Sequence, residues 1–287
     1  MNIIVGYVII VACCLGGFAI SGGHLIVLFQ PVEVLIIGGC LVGATVAGNS
    51  GQVLKALGKA LGACFKPPHF KKDGFMGLMA CLFEILSKVR KEGLMSIEQD
   101  VENPESSAIF SKYPDILHDH HLVEFITDYL RLMGSGHLNP MEIENLMDSE
   151  IDTHHAESHT AESALSKMAD GAPAFGIVAA VMGVVHVMGS VGQVSNAELG
   201  NMIAAALVGT FLGILMAYGF MAPLANVFAQ LESENGKALE CTKTVLLASL
   251  NGYSPAVAVE FGRKVLFSPL RPTFKELEEF VKNAKGK

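Results

Sequence analysis

Lysine and arginine are missing from two long stretches of this 287-residue chain, residues 1–54 and 168–236. Charged residues make up only 17% of the chain, against about 25% in an ordinary soluble domain. A net charge of −8 and a pI near 5.7 leave no basic face of the kind nucleic-acid binders carry, so no nucleic-acid partner is expected. None of the six cysteines forms a C-x-x-C pair, and Cys13, Cys14 and Cys40 lie in apolar runs. They read as small buried hydrophobes rather than a disulfide framework. The apolar start lacks a basic leader and a clear small-residue cleavage site, which argues against a cleaved secretory signal. Alternating β patterns and internal repeats are almost absent, which points to helices.

What the chain has in quantity is apolar surface: 51% hydrophobic residues, 30 glycines and a mean hydropathy of +0.45. Four segments, Ile3–Ser21, Val34–Asn49, Pro173–Gly192 and Ile203–Phe220, approach the span length of about 20 apolar residues. Lysines cluster from Lys55 to Lys72 after the second segment, and Lys237 and Lys243 follow the fourth, whereas the links 22–33 and 193–202 hold none. By the positive-inside rule both termini and the large middle segment face the cytoplasm. The expected fold is an all-α integral membrane protein with four transmembrane helices and a helical cytoplasmic domain. Residues 1–52 form the first two spans, 53–170 a cytoplasmic helical domain, 171–225 the last two spans and 226–287 cytoplasmic C-terminal helices.

The middle segment carries helical periodicity. Phe75, Met76, Met79, Leu82, Phe83 and Leu86 repeat at helix spacing, as do Leu122, Phe125, Ile126, Tyr129, Leu130 and Met133. Asn139-Pro140 with Glu142 reads as an N-cap, a first-turn proline and a capping-box acid. That helix is expected to run to Gly171 and restart as the third span at Pro173. Asn251-Gly252 ends the helix that follows the fourth span, Ser254-Pro255 opens another, and Thr273 with Glu276 starts the last.

Chemistry is sparse. No Asp, Glu, Lys or Arg lies inside the four expected spans; Glu33, Asp170 and Glu198 sit at their edges. A membrane proton relay needs an ionisable group facing the bundle interior. Here only His186 lies well inside a span, so a partner would have to bring the carboxylate. The fourth span carries Ala205, Gly209, Gly213 and Ala217 at every fourth position, and the second carries Gly39, Gly43 and Ala47. Such stripes let helices approach closely, within the chain or between subunits. Pro173 opens the third span and Pro223 closes the fourth, both at the cytoplasmic end.

His155 and His159 stand four apart on a helix, and His118, His120 and His121 cluster, but without cysteines or an H-E-x-x-H pattern. A solvated polar face is the better reading of them, and no metal or cofactor is expected. No G-x-S-x-G elbow is present either, so no enzyme is expected. Between Lys88 and Glu105 the charges change sign, from Lys88, Arg90 and Lys91 to Glu98, Asp100 and Glu102. An exposed face or a charged docking surface would both explain that pattern.

Longer motifs carry a resemblance. Residues 173–186, PAFGIVAAVMGVVH, with Glu198-Leu-Gly, Val208-Gly-Thr-Phe-Leu-Gly-Ile-Leu and Ala217-Tyr-Gly-Phe220, resemble the third and fourth spans of the MotA family of flagellar stator subunits. Asp100-Val-Glu-Asn-Pro104, Asp128-Tyr-Leu-Arg131, Asn251-Gly-Tyr-Ser-Pro and Ala258-Val-Glu-Phe-Gly-Arg-Lys264 extend the likeness over nearly the whole chain. The resemblance implies a homopentamer in the bacterial inner membrane, around single-span MotB-like subunits whose membrane Asp takes the proton. It implies functional importance for Pro173 and Pro223, a place near the proton path for Thr210, and contact of Arg90 and Glu98 with the rotor protein FliG. Sodium-driven relatives have Thr where Ala180 stands, which implies protons. The nearest rival is a TolQ/ExbB-like energiser, against which the large middle segment and the Arg90/Glu98 neighbourhood tell. A His-dependent metal or solute transporter is more remote.

Overall fold

In the computed structural model, residues 2–65 and 70–284 are described. They are helical, with no strand among them. Contacts divide the chain into two compact units, Met1–Pro67 with Glu157–Gln230 and Pro68–Ala156 with Leu231–Lys287.

The first unit holds the apolar helices: α1 (Asn2–Ile20), α2 (Pro31–Gly48), the C-terminal part of α8 (Pro140–Gly189) and α9 (Asn196–Ile214). Four helices among the described residues are long and apolar enough to cross a membrane. Ile4, Val8, Ile9, Leu35, Val42, Val181 and Val185 all lie exposed, a surface suited to lipid rather than water. The buried face of α2 repeats every fourth residue as Glu33, Ile37, Leu41 and Thr45. Its small-residue stripe, Gly39, Gly43 and Ala47, points away from this face and is exposed. Ser50 caps α3 (Gly51–Ala63), accepting from the Val53 amide at 3.4 Å. Leu57, Ala60 and Cys64 then pack with Ile3, Leu165 and Phe228.

Three sequence expectations change here. Pro173 does not restart a helix: α8 is one 50-residue helix and the proline lies inside it. The proline removes one backbone donor, and flanking apolar contacts such as buried Ala172 hold the turn helical. Pro223 does not end a helix either. The chain passes from α9 through a wide π-helical turn, Leu215–Met221, into α10 (Ala222–Leu250). The Ala222 amide donates five residues back, to the Ala217 carbonyl. That wider turn relieves the clash a proline ring makes with the carbonyl four residues before it. The Tyr7 hydroxyl adds a 2.7 Å hydrogen bond to the Phe220 carbonyl in the same turn. Third, α2 starts at Pro31 rather than Val34, so Glu33 belongs to the helix and is buried.

The second unit is built on α4 (Lys72–Glu92), whose Phe75, Leu78, Met79, Leu82, Ile85 and Leu86 are all buried. Around this core lie α5 (Glu98–Glu102), α6 (Pro114–Leu117), α7 (His120–Ser135), α11 (Pro255–Val265) and α12 (Phe274–Ala284), with parts of α8 and α10. The capping boxes form as expected. The Asn139 amide donates to Glu142 at 2.8 Å and the Glu142 amide donates back to Asn139 Oδ1 at 3.0 Å; Thr273 and Glu276 repeat the pattern. Gly252, at φ +83°, makes the turn between α10 and α11.

Candidate functional site

Within the first unit, α8 and α9 touch backbone to backbone. A Cβ on Gly176 would lie 2.9 Å from the Gly209 carbonyl oxygen, and one on Gly213 would lie 2.8 Å from the Ala172 carbonyl oxygen. The small-residue stripe of the fourth span is therefore occupied inside the chain. Gly209 and Gly213 face α8, and Ala217 is fully buried with Ile37, Leu41 and Ala172. Ala205 and Thr210 are half-buried.

Glu33 points into this crossing. A Cβ on Gly209 would lie 2.8 Å from Glu33 Oε2 and 3.0 Å from the Ala180 amide nitrogen; a Cβ on Gly183 would lie 3.7 Å from Glu33 Oε1. Glu33 is 8% exposed, and its Oε2 is buried without a hydrogen-bond partner. Glu33 stands in the first turn of α2, at the edge where the sequence puts it, yet its carboxylate turns inward to the helix crossing. Sequence reasoning missed Glu33 because the glycines that make room for it lie some 150 residues and more away. A signal was present: Glu33 heads the four-residue period of Ile37, Leu41 and Thr45. Ala180, singled out for ion choice, is buried at the same crossing. Pro173 and Pro223, also half-buried, lie on the same two helical runs beyond it.

Within the second unit, Arg90 is in the last turn of α4 and Glu98 opens α5; both are exposed. Between them Gly93 turns the chain at φ +86°, a left-handed value that glycine adopts at little cost, and buried Ile97 anchors the following 3-10 turn. The corner is fastened from behind. Asp100 is buried, accepts from Lys88 Nζ at 2.7 Å and from Ser107 Oγ at 2.5 Å, and Ser107 Oγ in turn accepts from the Ile109 amide. Arg131 of α7 donates to Asp128, Glu102 and the Val101 carbonyl, at 2.8, 3.2 and 3.1 Å. The motifs at residues 100–104 and 128–131 thus meet in space. The alternating charge run divides accordingly: Lys88 and Asp100 pair behind the corner, while Arg90 and Glu98 are displayed on it.

The histidines divide too. His121 and His154 pack as a tilted pair with ring centroids 4.6 Å apart, and His159 Nε2 lies 3.5 Å from Glu162. Among the described residues, no three His, Cys, Asp or Glu side chains group as a metal ion would need. His186 is exposed on α8.

Comparison with known proteins agrees with this arrangement. Residues 4–93 match the family described as motility protein A N-terminal, and residues 118–240 match the MotA/TolQ/ExbB proton channel family. The chain is 49% identical to motility protein A of Salmonella typhimurium, over 98% of this chain and 95% of that one. It is also 49% identical to motility protein A of Escherichia coli, over 100% and 97%. Identity to the chemotaxis protein LafT of Vibrio parahaemolyticus is 37% over both full lengths. The fold matches a solved structure of C. jejuni MotAB with a TM-score of 0.78 at 18% identity, covering 95% of this chain and 99% of that chain. Full-length identity near one half, two family matches in order and one shared fold lead to a single assignment: the chain belongs to the motility protein A family.

Proposed function

We propose that this chain is the stator subunit of a flagellar motor that, with a MotB-like partner, couples proton flow across the bacterial inner membrane to torque on the rotor. The observation that carries this reading is the 49% identity to motility protein A across essentially the whole chain. Five copies enclose two single-span partner helices, each bringing a membrane Asp; both termini, with residues 53–170 and 226–287, face the cytoplasm. The partner's protonated Asp is neutral and cheap to move past small-residue surfaces. Once it has lost its proton to the cytosol it is charged again, and the ring steps to the next position. One elementary charge crossing the membrane potential releases about 2.3 kcal/mol per 100 mV, enough to bias one step but not to unfold a packed unit. Thr210 and Ala180 stand near the proton path, and Pro173 and Pro223 shape its cytoplasmic end. Arg90 and Glu98, held out on the α4–α5 corner, deliver the step to oppositely charged groups of FliG.

The test is proton uptake into vesicles under an imposed potential. This chain is co-expressed with the MotB-like partner, whose periplasmic segment next to its span is removed to prevent plugging. Uptake should need both chains and disappear when the partner's membrane Asp becomes Asn. Uptake by this chain alone would overturn the reading.

A further inference from the structure

Glu33 has no part in the mechanism above, yet it is the one carboxylate at the α2, α8 and α9 crossing among the described residues. It heads the buried face of α2, and its two carboxylate oxygens lie beside Gly183 of α8 and Gly209 of α9. The titratable groups that the packed elements carry toward this end are His24, His186 and Glu198, and all three are exposed. A Cβ at position 209 would stand 2.8 Å from Oε2, so a larger residue there would displace the carboxylate from this place. An ionisable group placed in this way within apolar helices is costly, and such groups mark ion pathways.

We propose that Glu33 is a second proton-binding site of the channel, contributed by every copy of this chain, which loads the partner's Asp from the outer side. The inference rests on the proton-channel reading and on its topology, in which α2 begins at the outer face. A hydronium ion entering from outside gives its proton to a Glu33 carboxylate oxygen, forming an O–H bond and releasing water. That bond breaks when the proton passes to the ionised carboxylate of the partner's Asp, and Glu33 returns to the carboxylate form. Ala180 and Gly209 border the same point, so bulk at either position would crowd the transfer.

The test uses the assembled two-chain complex with the plug segment removed. Glu33→Gln keeps the shape and removes the proton site; uptake should fall about tenfold or more, the scale on which a positioned proton carrier acts. Glu33→Asp retains a carboxyl and should recover part of the flux. Wild-type uptake that persists undiminished in Glu33→Gln overturns this inference and leaves the stator reading standing, whereas no wild-type uptake sinks that reading itself. Infrared difference spectra of the wild-type complex between two pH values supply a readout independent of flux and of the Gln variant's folding. A buried-carboxyl band that shifts in Glu33→Asp supports the proposal. A spectrum whose only such band vanishes with the partner's Asp→Asn overturns it.

Discussion

Gly176 on α8 and Gly213 on α9 meet Cα to Cα. A Cβ built on Gly176 would lie 2.8 Å from Cα of Gly213, and one on Gly213 would lie 2.7 Å from Cα of Gly176. Real Cβ atoms do not come so close to backbone, so either alanine substitution must push two helices apart. Such overpacking costs about 1–3 kcal/mol. Gly213→Ala and Gly176→Ala should therefore lower the melting temperature of the purified complex, while Gly200→Ala, with open space around it, should not. Equal melting of all three would show that the helices do not cross here.

Asp100 presents a different kind of dependence. It is buried, and Lys88 and Ser107 both donate to it. Removing an ionised acceptor leaves those donors unsatisfied, at about 1.5–3 kcal/mol for hydrogen bonds to a charged group. Asp100→Ala should lower thermal stability by that amount and loosen the α4–α5 corner. Hydrogen exchange at the Ile109 and Phe110 amides, which rest on Ser107, should speed up with it. Unchanged exchange there would contradict the role assigned to Asp100.

Arg90 and Glu98 should behave in the opposite way, since both are exposed. Charge reversal at Arg90 opposes the negative end of α4 and costs about 0.3–1 kcal/mol. Arg90→Glu and Glu98→Lys should each insert and assemble normally but lose torque, read as rotation speed of tethered cells. Normal rotation in both would remove these residues from the rotor contact.

The spans were legible because two apolar stretches without a cation admit few other readings, and the caps at Asn139 and Thr273 were legible because capping is decided within four residues. Pro173 was not. Sequence marks a proline as a break, but whether flanking packing holds the helix through it depends on residues far along the chain. Glu33 was hidden for the same reason. Its burial depends on Gly183, Ala206 and Gly209, and nothing local announces that they face it. Arg131 closes the Asp128–Arg131 motif, yet its bonds to Val101 and Glu102 arise only once α5 and α7 are packed.

The cysteines offer a chemical check of the second unit. Burial pushes the Cys241 thiol up to about 12, and burial likewise raises Cys81 above the ordinary thiol range. The thiolate is the reactive form, so neither should react with a maleimide at pH 8 in the folded complex. Both should label fully after denaturation. Rapid labelling of either in the native complex would mean that the core around α4 and α10 opens readily.

Glu276 links the last helix to α4 and carries a definite pH signature. Its carboxylate accepts from Lys72 Nζ at 2.8 Å and from the Thr273 amide at 2.6 Å. The Lys72 hydrogen bond, followed by those to Thr273, holds its pKa down to about 2 from the ordinary 4.5. A carboxyl depressed in the folded state stabilises the fold above its unfolded value, and that contribution fades as pH falls from about 4.5 toward 2. The group is solvent-exposed, so the effect is modest and screened by salt. The melting-temperature gap between wild type and Glu276→Gln should be widest near pH 6 and should narrow as pH falls through 4.5 to 3. High salt should narrow it at pH 6 as well, because part of the link is an exposed ion pair. A gap that stays constant across the acid range would mean that Glu276 acts by shape alone and that the Lys72 link does not form in solution.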